Sequence, residues 1–340
     1  FSDVSDASGT SLLDVGKRNW SAEIFDALGW PITWMPEVTE STEASTKISE
    51  DASRLTGLLA GTPVIAGGGD QAAQAVGCGI VEEGLVSATL GTSGVVFAQS
   101  DEYRVEPSGK LHAFCHAVPG KWHLMGVMLS AAGSFQWYKN QFGQEEQRKE
   151  DGGGSNAYDL LTEEAETVVA GSEGLFFLPY LSGERTPYPD PYARGCFIGM
   201  SLRHSKKHHT RAVLEGVSYG LNDSLSLMRD LGINPNEIIL SGGGSRSALW
   251  KQMLADVFST RCAMVNVLEG AAYGAALLAA VGVGAYTNVQ EACRSCIQKT
   301  EIVNPGSDQE TYEKHYPIYQ SLYPSLKTQF AQISDVITRY

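Results

Sequence analysis

Apolar and polar positions fall in blocks along the chain, and glycine separates the blocks. After Gly61 the order is regular. Pro63-Val64-Ile65-Ala66 is an apolar run that stops at Gly67-Gly68-Gly69, and small residues follow, which predicts a strand, a turn and a helix over 70–78. Residues 85–90 and 94–99 predict two strands around the turn Gly91-Thr92-Ser93. A strand over 122–127 and a helix over 130–142 follow, then a polar, glycine-rich stretch over 145–156 that reads as a mobile loop. Short strands at 175–178 and 196–200 flank a proline-rich loop. A long helix fits 210–231, with Ala212, Val213, Gly216, Tyr219, Gly220 and Leu227 near one face. A strand over 237–240 runs into Gly242-Gly243-Gly244, and the pattern then predicts a helix over 248–258 and a strand over 262–265. A helix over 270–282 is built on alanine and glycine, which permits close packing. From 309 to the end the pattern is one helix broken by Pro317 and Pro324.

The first sixty residues are less ordered in pattern. A short strand fits 12–15, and Ser21 caps a helix over 22–28 that Gly29 closes. Residues 39–53, rich in Ser, Thr and Glu, read as connection. Strands alternating with helices, with glycine turns at strand ends, predict an α/β fold that binds ligands at the edge of its sheet.

The 340 residues are 43% hydrophobic, ample for a buried core and, as a prior, for more than one domain. The net charge of −14 argues against nucleic acid or an anionic membrane as partner. It also works against ATP, so a phosphate site here must rely on local dipoles and a metal ion. No apolar run approaches the roughly 18 residues of a membrane-spanning helix, and no basic segment followed by an apolar one opens the chain. Six cysteines are scattered, and only Cys293 and Cys296 stand as C-x-x-C, without a second pair at zinc spacing. These features read as a cytoplasmic protein with free thiols. The chain opens on Phe1 in mid-pattern and reads as a piece of something longer.

Three glycine turns at strand ends carry the candidate chemistry. Without a Cβ, backbone N–H groups can crowd around an anion. Asp70 follows the first turn and opens a helix, whose dipole favours the ionised carboxylate. In phosphoryl transfer the transition state is loose, so a base of low pKa can act late on the attacking hydroxyl. A simple helix cap explains the same placement. Gly91, Thr92 and Ser93 offer amides and two hydroxyls, fitting a γ-phosphate clamp or an ordinary hairpin turn. Gly243 and Gly244 allow a flat adenosine to lie on the backbone, with Ser247 placed to bond the base; tight strand–helix packing explains the run equally. His204, His208 and His209 lie beside Lys206 and Lys207 at a solvated helix start. His112, His116 and His123 read as core or surface residues rather than ligands. Arg185 could reach phosphates or pair with Glu184.

Taken together, these motifs resemble the FGGY carbohydrate kinases. The resemblance is carried by Ala66-Gly67-Gly68-Gly69-Asp70, Leu90-Gly91-Thr92-Ser93-Gly94, the run Leu-Pro-Tyr-Leu-Ser-Gly-Glu-Arg-Thr-Pro at 178–187, and Leu240-Ser241-Gly242-Gly243-Gly244. Within the family it is strongest towards members that phosphorylate D-xylulose, supported by residues 123–132, 214–217 and 269–276. It implies an actin-like ATPase fold with ribonuclease-H-like sheets, in which ATP and sugar meet in a cleft. By this resemblance Asp70 is the base for the sugar hydroxyl, and Gly69 with Asp70 touches the sugar. Gly91, Thr92 and Ser93 hold the terminal phosphates, and Gly243, Gly244 and Ser247 hold the adenosine. ATP and Mg²⁺ are the implied cofactors, the Mg²⁺ riding on the phosphates, and a homodimer is one assembly open to the chain.

Three departures qualify this. The family's N-terminal Asp-x-Gly-Thr-Ser loop and its Met-His-Gly sugar segment are absent from these residues. Residues 1–60 therefore read as a remnant of the N-terminal, sugar-binding domain, and 61–340 as the C-terminal, ATP-binding domain. Gln71 stands where the D-xylulose members usually carry Asn, while glycerol kinases often carry Gln. His209 occupies a usually apolar helix position. The expectations are a D-xylulose kinase, a kinase for glycerol or another polyol, or a non-catalytic nucleotide-binding fragment.

Overall fold

The computed structural model of the chain describes residues 1–337. Among them the largest sheet has seven strands: β1 (Leu85–Leu90), β2 (Gly94–Ser100), β3 (His112–Cys115), β4 (Trp122–Met128), β5 (Glu237–Ser241), β6 (Cys262–Val265) and β7 (Lys299–Val303). Their spatial order is β7-β6-β5-β1-β2-β4-β3. β5 pairs in parallel with β1 and β6, and every other pairing in this sheet is antiparallel. The central strands are buried on both faces: β1 and β2 read as near-continuous Val, Ala, Leu and Phe.

Helices cover both faces. In chain order these are α1 (Asp70–Gly77), α2 (Ala132–Phe142), α3 (Ala157–Glu166), α4 (Lys206–Asp230), α5 (Ala248–Phe258), α6 (Gly270–Gly282) and α7 (Gln309–Ile337). On one face α4 buries Val213, Leu214, Val217, Leu221 and Leu225 in the main core, joined by Trp250 of α5 and the tyrosines of α7. On the other face α1 and α6 bury Ala72, Val76, Leu277 and Leu278. Those two helices cross at backbone contact. A Cβ added to Gly274 would sit 1.8 Å from the Ala73 carbonyl oxygen, and one on Gly77 would sit 1.9 Å from that of Gly270.

The first 66 residues form small paired pieces beside this body. Ser2–Asp3 pairs in parallel with Val38–Thr39, and Ala44–Lys47 pairs with Pro63–Ile65. Arg18 fixes them to the sheet: its guanidinium grips Glu40 through two 2.7 Å bonds and donates to the Lys121 carbonyl at 2.7 Å, next to β4. Ser21 caps Ala22–Leu28 as expected, with Gly29 in the left-handed region at φ +67°.

Three expectations need correction. The polar stretch after Phe142 is a helix, Gln144–Asp151, rather than a loop. It has no apolar face of its own and is held through Glu146, which is buried and meets the Lys206 ammonium at 2.5 Å. The segment 39–53 contains the strand Ala44–Lys47 and the start of a helix, Glu50–Thr56, that Ser49 caps. Finally, α7 runs through Pro317 and Pro324 without a break. Its inner face buries Tyr312, Tyr319, Tyr323 and Phe330, and that packing outweighs the two backbone bonds the prolines forfeit. Positions 338–340 of the expected helix lie outside the described residues.

Candidate active site

β1 and β5 lie side by side and end at the same level, with Thr89 paired to Ser241. The turns that follow them therefore face each other. In the first turn the carbonyls of Gly91 and Thr92 accept from the amides of Ala131, Ala132 and Gly133 at the start of α2, at 2.9 to 3.1 Å. The polar groups that this turn can turn to a ligand are thus its own amides and the Thr92 hydroxyl. In the second turn Gly242 has φ +86°, and a Cβ there would fall 2.6 Å from the Leu90 carbonyl oxygen, so only glycine fits. A Cβ on Gly243 would meet nothing within 4 Å, so that residue opens onto free space. Ser247 caps α5, its Oγ accepting from the Trp250 amide at 3.3 Å.

Between the turns lies a cleft of about 550 Å³, a volume that suits a small ligand. Gly91 and Thr92 line one side, Gly243, Gly244 and Ser247 the other, and Trp250 forms part of the wall. Tyr158, Asp159 and Thr162 of α3 also line the cleft. Five of the six residues expected to hold nucleotide thus share one cleft. Ser93 does not line it: the side chain is exposed and its Oγ donates to the Leu129 carbonyl at 3.3 Å.

Asp70 and Gly69 lie outside the cleft. Asp70 is exposed and is the first residue of α1, with Gly69 at the cap position, and its Oδ1 accepts from the Gln71 amide at 2.7 Å. One turn further along the same helix face, Gln74 donates to the Thr89 hydroxyl at 3.0 Å, and Thr89 in turn meets the Ser241 hydroxyl at 2.9 Å. This chain of contacts puts the Asp70 face of α1 at the end of the sheet where both turns emerge. Gly69 donates its amide to Ser5 Oγ at 3.0 Å.

The proline-rich loop buttresses the turn from behind. Glu184 is buried, and its Oε1 accepts from the amides of Leu129 at 3.0 Å and Arg185 at 2.7 Å. Burial pushes its carboxyl up to about 8. Arg185 is exposed and makes no ion pair with Glu184 among the described residues; burial, and then the Arg185 charge, lower the basicity of His112. His116, just after β3, and His123 in β4 are buried, His123 stacked on Phe97 at 4.2 Å. All six cysteines are free thiols. No helix among the described residues is long and apolar enough to cross a membrane.

Sequence reading passed over Gln136, Asp159 and Arg246, all of which line the cleft. Gln136 stands one turn after Ala132 on α2, a spacing that faces the turn. Asp159 and Arg246 carry no local signal: Asp159 stands on α3, which the pattern does not predict, and Arg246 ends the single 3₁₀ turn Gly243–Arg246.

Comparison with known proteins places the chain in a family. Residues 1–77 match the FGGY family of carbohydrate kinases, N-terminal domain, and residues 86–283 match its C-terminal domain. The chain belongs to the FGGY family of carbohydrate kinases. It is 34% identical to a xylulose kinase of Bacillus subtilis over 326 residues, covering 96% of this chain and 63% of that protein. It is 43% identical to a xylulose kinase of Escherichia coli over 256 residues, covering 75% of this chain and 50% of that protein. A gluconokinase of Bacillus subtilis is 29% identical over 338 residues, 98% of this chain and 65% of that one. A solved structure from Brucella ovis, described as a xyloylose kinase, superposes with a TM-score of 0.87 at 36% identity, covering 96% of this chain and 65% of that one. The chain therefore spans about half to two thirds of the length of these relatives, and its architecture is the actin-like ATPase fold of FGGY kinases.

Proposed function

We propose that the complete protein transfers the γ-phosphoryl group of ATP to D-xylulose, giving D-xylulose 5-phosphate. The observation that carries this reading is the cleft between Gly91-Thr92 and Gly243-Gly244, on a chain whose similar relatives include several xylulose kinases. ATP enters as its Mg²⁺ complex. Among the described residues no three His, Cys, Asp or Glu side chains cluster as a metal cage. An Mg²⁺ ion of this kind keeps its waters and rides on phosphate oxygens.

Each residue then has a part. The amides of Gly91 and Thr92 and the Thr92 hydroxyl face the terminal phosphates and oppose the charge that spreads over them during transfer. Ser93, whose Oγ is bonded to the Leu129 carbonyl on the outer side of the same turn, offers its backbone amide to the same phosphates. Gly243 leaves the flat face of the adenosine free to approach, and Ser247, with its hydroxyl proton uncommitted, donates to it. Asp70 accepts the proton of the attacking hydroxyl, and Gly69 lets the sugar come close to the backbone there. The acid is exposed at a helix start, where its carboxylate is accessible to a substrate hydroxyl.

A second reading is a kinase for gluconate, glycerol or another polyol. Gln71 beside Asp70 and the gluconokinase similarity favour it. The deciding assay measures ADP release by the complete protein with ATP and Mg²⁺ and, separately, D-xylulose, D-gluconate and glycerol, with the 340-residue chain as control. Release with D-xylulose supports the first reading. Release with gluconate or glycerol alone moves the substrate, and no release with any of them overturns both readings.

A further inference from the structure

Near Asp70, buried polar groups concentrate in the first six residues. Asp3 is only 5% exposed, yet no cation pairs with it among the described residues. Its carboxylate is satisfied by neutral donors instead. Oδ2 accepts from the Ser5 amide at 2.7 Å, the Ser5 hydroxyl at 2.5 Å and the Ser41 hydroxyl at 2.9 Å, and Oδ1 accepts from the Asp6 amide at 3.2 Å. The bonds to the two amides cap the helix Val4–Ser8. Those to the two hydroxyls are not needed for capping.

The Ser5 hydroxyl gives its proton to Asp3, so towards any other partner it can only accept. The donor it meets is the Gly69 amide, 3.0 Å away. The result is a directed relay in which Gly69 N–H donates to Ser5 Oγ and Ser5 O–H donates to the Asp3 carboxylate. A negative charge at its end strengthens each bond. The relay stops one peptide short of Asp70. The same contact is tight on its flanks. A Cβ on Gly68 would lie 3.3 Å from Ser5 Oγ, and one on Gly69 would lie 3.4 Å from Asp6 Oδ1. The loop that precedes α1 is therefore seated on the first helix of the chain.

We propose that Asp3 and Ser5 are positioning residues that hold the Gly67–Asp70 loop so that the Asp70 carboxylate meets the sugar hydroxyl. The proposal rests on the reading of Asp70 as base. Misplacing a catalytic group by about 1 Å costs on the order of 100-fold in rate, and the bond from the Gly69 amide to Ser5 Oγ is the one that seats the residue before Asp70, beside the bond from the Gly67 amide to the Ser41 carbonyl at 3.1 Å. Neither Asp3 nor Ser5 touches the nucleotide cleft, so the effect falls on the chemical step.

The test compares Ser5→Ala, Asp70→Asn and the double variant in the complete protein. Steady-state rates with MgATP and the sugar that it accepts are read alongside amide exchange of the 66–72 segment. Ser5→Ala is expected to lower kcat about 10- to 100-fold, to leave the KM for ATP within about twofold, and to speed exchange at Gly69. In the Asp70→Asn background Ser5→Ala is expected to cost nothing further. Ser5→Cys, which keeps the volume but accepts poorly, replaces Ser5→Ala if that variant does not fold. Wild-type kcat in Ser5→Ala beside an inactive Asp70→Asn overturns the positioning role and leaves the base in place. Activity retained by Asp70→Asn overturns the base reading and this proposal with it. An equal loss from Ser5→Ala in both backgrounds shows that Ser5 acts elsewhere and also overturns the proposal.

Discussion

Two carboxylates of opposite character frame the chemistry at the scale of single residues. Asp70 is exposed at a helix start, and Asp70→Asn is expected to lower turnover by about 10²- to 10⁴-fold, the usual range for losing a general base. ATP affinity, measured by calorimetric titration, should stay within about twofold of wild type, because the cleft does not include that side chain. Glu184 is the reverse: 3% exposed, with its carboxyl pushed up to about 8 by burial. Unfolded, the same group ionises near its ordinary value, so between there and pH 8 the folded state binds one more proton than the unfolded state. Stability from this group is then fully present at low pH and falls as pH rises through that window, by about 1.4 kcal/mol per pH unit for one proton. Buried Asp223, pushed up to about 7, has the same sign. Glu184→Gln, neutral at every pH, should flatten the alkaline decline in urea-unfolding free energy between pH 5 and 8; an unchanged slope would count against a protonated Glu184. The place of Asp70 at a helix start was legible in sequence because a strand, three glycines and an acid are contiguous. The partners of Asp3 were not, because Ser41 and Gly69 meet it only after folding.

Whole elements were legible where local pattern and tertiary role agree. The bounds of α5, β6 and α6 follow directly from apolar spacing flanked by Ser247 and by glycine. They were illegible where a distant group decides, as in Gln144–Asp151, whose anchor is Lys206 some sixty residues away. The same holds for α7, which keeps its helix through two prolines because its tyrosines are buried. Tyr312 shows how that helix is tied down. Its hydroxyl accepts from Arg211 at 2.9 Å and donates to Glu215 at 3.1 Å, all three residues being buried. Tyr312→Phe leaves charged groups short of a partner and is expected to cost about 1–3 kcal/mol in the unfolding free energy. The crossing of α1 and α6 predicts a sharper response. Gly274→Ala puts a methyl where the Ala73 carbonyl lies, so the helices must part. A loss of about 1–3 kcal/mol or more is expected in urea titration, whereas an unchanged midpoint would show that the seam can yield.

On the scale of the whole molecule, the cleft and Asp70 belong to one packed body, since Ala75 of α1 and Cys78 just after it are buried against the sheet whose turns line the cleft. The two glycine turns extend from two strands of that sheet, and Asp70 opens the helix packed between it and α6. Under the proposed reading the complete protein closes around both substrates to exclude water, as induced-fit kinases do. The complete protein should therefore contract when sugar and a non-hydrolysable MgATP analogue bind together, seen as a smaller radius of gyration in X-ray scattering. Identical curves with and without ligands would remove closure from the mechanism. The glycine seam between α1 and α6 has a further consequence, for recombination. The helix that carries Asp70 is set at its height by residues some two hundred positions away, through carbonyl contacts that leave no slack for a different side chain. In chimeras assembled from two members of the family, a crossover between 80 and 265 would bring together halves of the seam that never coexisted. Parents that differ in size at 73, 77, 270 or 274 should give inactive hybrids even when every cleft residue is shared, and exchanging both helices as one block should restore them.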